Sequence, residues 1–335
     1  MGQNGEPVKS PVEQRMSDTL LDIRGLTTRF SSPQGIAKAV DTVSLSLMQG
    51  ETLAVVGESG CGKTVLALSI LGLVPDPPGR VTDGSVLYQG RDLLDMDESE
   101  LRRIRGNQIS MIFQEPMTAL NPVFRIDDQI AEPLRLHQRL DRRAALAGAV
   151  DALALVGIPN PAKVARAYPH ELSGGMRQRV MIAMALACNP AILIADEPTT
   201  ALDVTVQAQI IDLMNDLKAR MNGSLMLITH DLGVVARMAG RVAVMYAGKV
   251  VELCDVGPLF AKPLHPYTQG LLASVPVLGD RTELNPIPGI VPGIFDLPEG
   301  CRFRPRCQRA FDRCTTLPPL LEAEPGRQVR CWLYE

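Results

Sequence analysis

The sequence predicts an α/β fold with a mostly parallel sheet at its core, an antiparallel β subdomain, a helical insertion and a small irregular C-terminal domain. Short apolar runs bounded by turn residues alternate with stretches of helical periodicity, which is the pattern of parallel strands joined by helices. Hairpin-like sequences, such as Tyr246–Val250 with its Gly248, indicate antiparallel strands beside this core. Prolines and cysteines accumulate after Asp255, and prolines at this density disfavour long helices and strands.

The buried strands of the main sheet are predicted from four apolar runs: Thr52–Val56, Ile192–Ala195, Leu225–Thr229 and Val242–Tyr246. Helical stretches such as Lys63–Leu73 and Val204–Arg220 lie between them. Apolar residues recur at roughly helical spacing between about 127 and 171, so this range is predicted to be a helical insertion. The predicted organisation is therefore a disordered lead over residues 1–19, a main domain over 20–255 and a C-terminal domain over 256–335.

The composition limits the possible classes of function. The chain has 335 residues and a net charge of −3, with no basic face that would attract nucleic acid. Its longest uncharged apolar stretch, Val180 to Ala195, is interrupted by Asn189-Pro190 and is shorter than the roughly 20 residues that a membrane span needs. The N-terminus lacks the apolar segment of a secretory signal. These features predict a cytosolic chain that reaches a membrane only through a partner.

A glycine-rich sequence follows the predicted strand Thr52–Val56 and begins a helix, which is the context that a phosphate loop requires. Its glycines allow successive backbone N–H groups to converge on phosphate oxygens, and the helix N-terminus adds positive partial charge. Lys63 is predicted to reach the β- and γ-phosphates, and the Thr64 hydroxyl to bind Mg²⁺. The predicted nucleotide-binding residues are Gly57, Glu58, Ser59, Gly60, Cys61, Gly62, Lys63, Thr64 and Val65. The alternative is a chance glycine-rich turn.

Acidic and polar residues follow three further predicted strands, at the end where parallel strands form a ligand crevice. Asp196 is predicted to hold Mg²⁺, and the adjacent Glu197 to polarise an attacking water as a general base. An ordinary acidic pair is the alternative, and the upstream phosphate loop favours the catalytic interpretation. His230 is predicted to contact the γ-phosphate and orient Glu197, although a structural histidine is equally compatible with its position. Gln114 ends another short apolar run, Ser110–Phe113, and is predicted to bind Mg²⁺ and the attacking water.

The sequence Leu172-Ser173-Gly174-Gly175-Met176 precedes another helix and predicts a second anion cradle. One nucleotide cannot fill two cradles that lie far apart on one lobe. A head-to-tail dimer resolves this, because the Ser173 cradle of one subunit then closes on the γ-phosphate held by the other. The alternative is a simple helix cap with flexible glycines.

The order of phosphate loop, Gln114, Leu-Ser-Gly-Gly, acidic strand and His230 resembles that of the ABC ATPase superfamily, over about Leu20 to Cys254. Thr200-Ala201-Leu202-Asp203 stands where the family usually has Ser-Ala-Leu-Asp, and Cys61 stands where Ser is commoner. Phe30 falls where the family places an aromatic residue that stacks on adenine; core packing is the alternative for this side chain. The resemblance implies ATP as the ligand, with Mg²⁺.

The C-terminal region resembles the extension of oligopeptide and dipeptide transporter ATPases. The resemblance rests on His265-Pro266-Tyr267-Thr268, Ile287-Pro288-Gly289, Gly300-Cys301 and Pro305-Arg306-Cys307, and on the stretch Met111–Pro122. It implies an ATP-hydrolysing subunit on the cytoplasmic face of the inner membrane. It also implies two membrane permeases, a second ATPase subunit that is a copy or a paralogue, and, indirectly, an extracytoplasmic solute-binding protein. Nucleic acid is not expected as a partner.

Four cysteines lie close together near the C-terminus: Cys301, Cys307, Cys314 and Cys331. Their spacing fits neither the usual zinc pairs nor the two-residue gaps of bacterial ferredoxins, but four thiols in a cytosolic tail suggest a soft-metal site. The family resemblance implies a [4Fe-4S] cluster here. Zinc, or four reduced cysteines that only pack a small domain, are the alternatives.

The leading functional prediction is an energy-coupling ATPase for dipeptide or oligopeptide import, which acts through an ATP-closed dimer. One alternative is a soluble ABC ATPase that acts on nucleic acid or ribosomes. The long heptad insertion of the chromosome-type proteins is missing, and the chain has one ATPase unit where translation-type proteins usually have two. A second alternative is an importer subunit for another solute, such as nickel.

Overall fold

The computed structural model describes residues 19–200, 202–221, 223–275 and 287–335. The predicted N-terminal lead lies outside the described residues, except for Thr19, which begins the first strand. No helix within the described ranges is both long and apolar enough to cross a membrane.

The main sheet confirms the predicted α/β core. Among the described residues it contains eight strands, in the order β11 (Leu321–Glu324), β12 (Arg327–Val329), β10 (Lys249–Asp255), β9, β3, β8, β7 and β6. The parallel part comprises β3 (Thr52–Val56), β6 (Ile109–Ile112), β7 (Ile192–Asp196), β8 (Ser224–Thr229) and β9 (Arg241–Tyr246). Their residues are almost all buried, as expected for strands that are covered on both faces. Because these strands are parallel, their carboxyl ends meet at one edge of the sheet.

The second sheet is the predicted antiparallel subdomain, with four strands in the order β2-β1-β4-β5. Its strands are β1 (Thr19–Ser32), β2 (Gly35–Met48), β4 (Gly79–Tyr88) and β5 (Arg91–Asp92). An apolar core that includes Leu21, Val55 and Leu66 fills the space between this sheet, the main sheet and the helix after β3.

The helices between β3 and β9 are α1 (Lys63–Ile70), α2 (Glu98–Ile104), α3 (Pro116–Ala119), α4 (Ile126–Gln138), α5 (Arg142–Leu155), α6 (Pro161–Val164), α7 (Gly174–Leu186), α8 (Val204–Met221) and α9 (Leu232–Met238). The predicted helical insertion corresponds to α4, α5 and α6. Apolar residues of α4, α5 and α7, including Ile130, Ala149 and Met181, form a second core on that side.

The C-terminal region is more closely joined to the main sheet than the sequence indicated. Strand β10 (Lys249–Asp255) is followed by helices α10 (Val256–Ala261) and α11 (Pro266–Ala273), and later by the hairpin of β11 (Leu321–Glu324) and β12 (Arg327–Val329). Strand β12 pairs with β10 and so extends the main sheet. The sequence did not predict this short hairpin, because the high proline content of the region disfavours strands. The strand with which β12 pairs, β10, is also distant in sequence.

Buried polar and aromatic contacts hold the extension against the sheet. The carboxylate of Glu252, which is fully buried in β10, accepts hydrogen bonds from the backbone N–H groups of Leu264 and His265 and pairs with Arg327. The Tyr246 ring of β9 packs against Tyr267 and Phe303, with ring centroids 4.7 and 5.2 Å apart. Such aromatic contacts bury large apolar areas and define geometry.

Candidate active site

The phosphate loop lies between β3 and α1, and its glycines adopt conformations that other residues avoid. Gly57, Gly60 and Gly62 have φ values of 154°, 77° and 102°. A Cβ atom on Gly57 would come within 2.2 Å of the Met245 carbonyl oxygen, and one on Gly62 within 2.2 Å of the Ala39 carbonyl oxygen. The loop therefore needs glycine at these two positions for both backbone angle and space.

The ammonium group of Lys63 lies inside this loop. Its Nζ donates hydrogen bonds to the carbonyl oxygens of Gly57 at 2.7 Å and Glu58 at 3.1 Å. The side chain is 5% exposed, so the charge is largely withdrawn from solvent and is balanced by backbone dipoles. A buried cation at the N-terminus of a helix is suited to binding an anion.

Thr64 and Asp196, the residues predicted to bind Mg²⁺, lie next to each other. Burial raises the pKa of Asp196, and the nearby Thr64 side chain acts in the opposite direction. The buried Oδ1 of Asp196 has no hydrogen-bond partner among the described residues. A hydroxyl and an unsatisfied carboxylate oxygen fit the preference of Mg²⁺ for oxygen ligands.

Three side chains converge on one oxygen of Glu197. The Oε2 atom lies 3.3 Å from Nε2 of Gln114 and 3.3 Å from Nδ1 of His230, and it accepts a hydrogen bond from the Thr200 hydroxyl at 2.8 Å. Gln114 follows β6, Glu197 follows β7 and His230 follows β8, which are adjacent strands. The structure thus brings together three of the residues that the sequence predicted to be catalytic.

Two features of this group were not predicted. The Thr200 hydroxyl contacts the same oxygen as Gln114 and His230; the sequence signals for it were its position three residues after Glu197 and its place in the loop Thr200–Asp203. Glu197 itself has a φ of 46°, in the left-handed region. Such a conformation costs about 1–3 kcal/mol in a non-glycine residue and is found preferentially at functional sites.

The loop that carries His230 is fixed by the next residue. The Asp231 carboxylate accepts hydrogen bonds from the N–H groups of Gly233 at 2.8 Å and Val234 at 3.3 Å, and so caps α9. It also accepts a hydrogen bond from Nε2 of Gln207 in α8 at 2.7 Å. Asp231 therefore joins two helices next to His230.

The second predicted anion cradle is open to solvent in the single chain. Ser173 caps α7, and its hydroxyl oxygen accepts a hydrogen bond from the N–H of Met176 at 3.3 Å. Ser173 and Gly174 are exposed, and a Cβ atom on Gly174 would meet nothing within 4 Å. The N-terminus of this 13-residue helix can therefore be reached by another molecule.

Phe30 is half-buried in β1, where it pairs with Gly79 of β4. A Cβ atom on Gly79 would come within 2.7 Å of the Phe30 ring. The glycine therefore makes room for the ring. The predicted stacking on adenine stays a prediction.

The four C-terminal cysteines line one small cavity, together with residues such as His265 and Trp332. The N–H of Cys301 donates a hydrogen bond to the carbonyl oxygen of Cys314 at 3.0 Å, which ties two of their segments together. Burial raises the pKa of Cys331 to about 11 and also raises the pKa values of Cys301 and Cys307. Across the described ranges, no group of three or more His, Cys, Asp or Glu side chains is arranged to hold a metal ion. These side chains therefore do not form a metal site in their present positions, and the predicted cluster stays a prediction.

Comparison with known proteins identifies two family matches. Residues 40–200 match the family described as ABC transporter, and residues 251–314 match the oligopeptide/dipeptide transporter C-terminal region. The chain is 53% identical over 319 residues to the oligopeptide transport ATP-binding protein AppD of Bacillus subtilis, which covers 95% of this chain and 97% of that protein. It is 48% identical over 328 residues to the oligopeptide transport ATP-binding protein OppD of Escherichia coli, with 98% and 97% coverage.

Among solved structures, the chain resembles the dimeric post-hydrolysis state of the ATP-binding cassette MJ0796 bound to ADP and Pi. The TM-score is 0.64 at 28% identity, over 70% of this chain and 98% of that one. The structure of cbiO1 from Clostridium perfringens, part of the transporter complex cbiONQ, gives a TM-score of 0.61 at 24% identity over 73% and 92%. The second likeness bears on the fold alone.

Proposed function

This chain belongs to the ABC transporter ATP-binding subunits that carry the oligopeptide/dipeptide transporter C-terminal region, and from this premise we propose that it drives the import of dipeptides or oligopeptides. The chain is an ABC-type ATPase. The observation that carries the mechanistic proposal is the convergence of Gln114, His230 and Thr200 on one oxygen of Glu197. The peptide substrate is inferred from the names of the relatives, such as AppD and OppD, and from the match over residues 251–314.

ATP is proposed to bind at the phosphate loop Gly57–Val65, with its triphosphate on Lys63 and on backbone N–H groups of the loop other than that of Glu58, which bonds the Tyr267 hydroxyl. The Lys63 ammonium would exchange the carbonyl oxygens of Gly57 and Glu58 for phosphate oxygens. Thr64, Asp196 and Gln114 would hold Mg²⁺, supported by the adjacent hydroxyl and unsatisfied carboxylate of the first two. Bound Mg²⁺ would neutralise charge on the phosphates. Phe30 is proposed to stack on adenine.

Glu197 is proposed to act as the general base that takes a proton from the attacking water. The Thr200 hydroxyl, 2.8 Å from the Glu197 Oε2 atom, and the Gln114 amide hold this carboxylate in place. His230 is proposed to orient the carboxylate and to contact the γ-phosphate. Lys63 and the Ser173 cradle of a second subunit would spread the charge that develops on the transferred group.

The working unit is proposed to be a head-to-tail dimer with a copy or a paralogue. Support comes from the exposed N-terminus of α7 with Ser173, Gly174 and Gly175, and from the likeness to the dimeric MJ0796 cassette. Closure around ATP and reopening after hydrolysis would be transmitted through the helical insertion at about 127–171 to two permease subunits. The subunit would then lie peripherally on the cytoplasmic face of the membrane, and a solute-binding protein would act indirectly.

The domain organisation is proposed to follow the two family matches. The ATPase domain would span residues 20–255, and the C-terminal extension 256–335. We propose that the four-cysteine cavity of this extension holds a soft-metal centre, a [4Fe-4S] cluster in preference to zinc. The support is the donor chemistry and the shared cavity of the thiols.

Purification of the subunit with its membrane partners, followed by reconstitution in liposomes, tests this function. ATP-dependent uptake of dipeptides or oligopeptides, lost in the Lys63→Ala variant, is the expected result. ATP-dependent uptake of another solute, such as nickel, would contradict peptide import. Stimulation of ATP hydrolysis by nucleic acid or ribosomes, without any membrane partner, would contradict the transport role.

A further inference from the structure

The C-terminal extension contacts the phosphate loop directly at Glu58. The backbone N–H of Glu58 donates a hydrogen bond to the Tyr267 hydroxyl at 2.8 Å. The Glu58 carboxylate accepts two hydrogen bonds from the Arg306 guanidinium, from Nη1 at 2.7 Å and from Nη2 at 3.0 Å. Both the backbone and the side chain of this loop residue are therefore held by the extension.

The two residues that hold Glu58 are themselves fixed. Tyr267 is fully buried, and its ring packs against those of Tyr246 and Phe303. Arg306 is 7% exposed, and its Nε donates to the Pro288 carbonyl oxygen at 2.9 Å. A bidentate arginine–carboxylate pair fixes orientation as well as distance, and rigid partners lose little conformational entropy when they hold the loop.

The segment that carries Arg306 also stabilises the phosphate loop at a second residue, Cys61, through Arg302. Arg302 bonds the carbonyl oxygen of Ala247 and the carboxylate of Asp41. The next residue after Ala247, Gly248, donates its N–H to the Cys61 carbonyl oxygen of the loop at 2.8 Å. Arg302 thus stabilises the turn that contacts Cys61, while Arg306 holds Glu58.

These contacts differ from those of Lys63 in one respect. Lys63 occupies the carbonyl oxygens of Gly57 and Glu58, so these bonds must break if the ammonium turns to a phosphate. The contacts of Tyr267 and Arg306 use the Glu58 N–H and carboxylate instead, and they can persist throughout. They can therefore keep the loop in its conformation after the Lys63 hydrogen bonds to Gly57 and Glu58 have broken.

We propose that Tyr267 and Arg306 are positioning residues that pre-organise the phosphate loop for ATP through Glu58. This inference rests on the proposed binding of ATP at that loop. Pre-organisation lowers the free energy cost of ordering a binding site, so its loss weakens ligand binding. The C-terminal extension then contributes to nucleotide affinity although its residues do not contact the nucleotide.

The test compares MgATP binding and steady-state hydrolysis in the full chain, purified with its partners. Tyr267→Phe removes only the hydroxyl, and Arg306→Lys keeps the charge but loses the paired geometry. Each variant is expected to raise the Kd and KM for MgATP about tenfold while kcat stays within about twofold, as for an interaction that affects ground state and transition state alike. Glu58→Gln, combined with Arg306→Lys, should add little to either single change.

Matched controls come from the same extension. Tyr334→Phe removes a hydroxyl that donates to the Leu264 carbonyl oxygen at 2.7 Å, and Arg327→Lys alters the buried pair with Glu252. Both controls are expected to lower thermal stability and leave the Kd and KM for MgATP unchanged.

The inference is overturned if Tyr267→Phe, Arg306→Lys and Glu58→Gln all leave the Kd for MgATP within twofold of the unmodified chain. It is equally overturned if the controls raise the Kd as much, because the effect would then be general destabilisation. Failure of the unmodified chain to bind MgATP at all would instead contradict the proposed function.

Discussion

The Nδ1 atom of His230 lies 3.3 Å from the Oε2 atom of Glu197. Glu197 is 12% exposed and His230 is 61% exposed, so the carboxylate is sheltered while the imidazole faces the site opening. The geometry fits a base that is oriented by its neighbours and a histidine that is free to reach a ligand. The carboxylate and its neighbours are the first target for mutation.

The Glu197→Gln substitution is expected to lower ATP turnover by about 10²- to 10⁴-fold, because the amide cannot accept the proton of the attacking water. MgATP binding should remain, and the ATP-bound dimer should persist because it is not hydrolysed. Turnover and size-exclusion chromatography with MgATP measure these effects. The control is Glu98→Gln, an exposed carboxylate in α2. Near-normal hydrolysis by the Glu197 variant would refute the role of base.

The Thr200→Val substitution tests the contact that the sequence did not reveal. Loss of the hydroxyl that bonds Glu197 at 2.8 Å should reduce kcat about 5- to 20-fold, with little change in the KM for ATP. Thr200→Ser keeps the hydroxyl and should restore most of the rate. If Thr200→Ser is as impaired as Thr200→Val, keeping the hydroxyl does not preserve the rate, and the loss cannot be assigned to the hydrogen bond with Glu197.

Two glycines of the phosphate loop provide a matched pair for backbone geometry. Gly60→Ala meets no atom within 4 Å, so its cost is the strain of a positive φ, about 1 kcal/mol. Gly62→Ala also approaches the Ala39 carbonyl oxygen at 2.2 Å, and should lower the free energy of unfolding by at least about 3 kcal/mol. Urea unfolding measures both. Equal effects would show that the Ala39 strand moves aside without cost.

The pH dependence of stability should report on His265. Burial lowers its pKa to about 3, and its Nδ1 accepts a hydrogen bond from the Tyr267 N–H at 3.0 Å, which requires the neutral ring. The unfolded chain takes up this proton near pH 6.5. Between about pH 6.5 and 3 the unfolded state therefore binds more protons, so the free energy of unfolding falls as the pH is lowered.

The His265→Gln variant should show a shallower loss of stability over this pH range, measured as urea midpoints from pH 7 to 4. His170→Gln, at an exposed histidine, serves as the control and should keep the slope of the unmodified chain. Identical slopes for the His265 variant and the unmodified chain would show that other groups control acid unfolding.

The content of the cysteine cavity can be measured directly. Anaerobically purified protein should contain about four iron and four acid-labile sulfide per chain if the proposed cluster is present. Cys314→Ser should lower the iron content, whereas Cys188→Ser, at a buried cysteine in the helical core, should not. Stoichiometric zinc, or protein without metal, would overturn the proposal.

Much of this protein was readable from local sequence. The phosphate loop was predictable because strand, glycines, lysine and helix are contiguous, and their chemistry depends on neighbours within a few residues. The strands at Thr52–Val56 and Ile192–Asp196 were predictable because short apolar runs between turn signals are typical of buried parallel strands. The same reasoning placed Asp196 and Glu197 at the carboxyl edge of the parallel strands, where a ligand site is predicted.

Only the tertiary structure decided which residues meet. Gln114 and Glu197 are 83 residues apart, and they come together because β6 and β7 are neighbours in the sheet. Glu58 and Arg306 are 248 residues apart, and no periodicity in the sequence relates them. Sequence patterns report local backbone geometry and burial, whereas contacts between distant segments depend on strand order and packing of the whole chain. For this reason the sequence predicted an ATP site, and only the structure shows that the C-terminal extension contacts the predicted phosphate loop at Glu58.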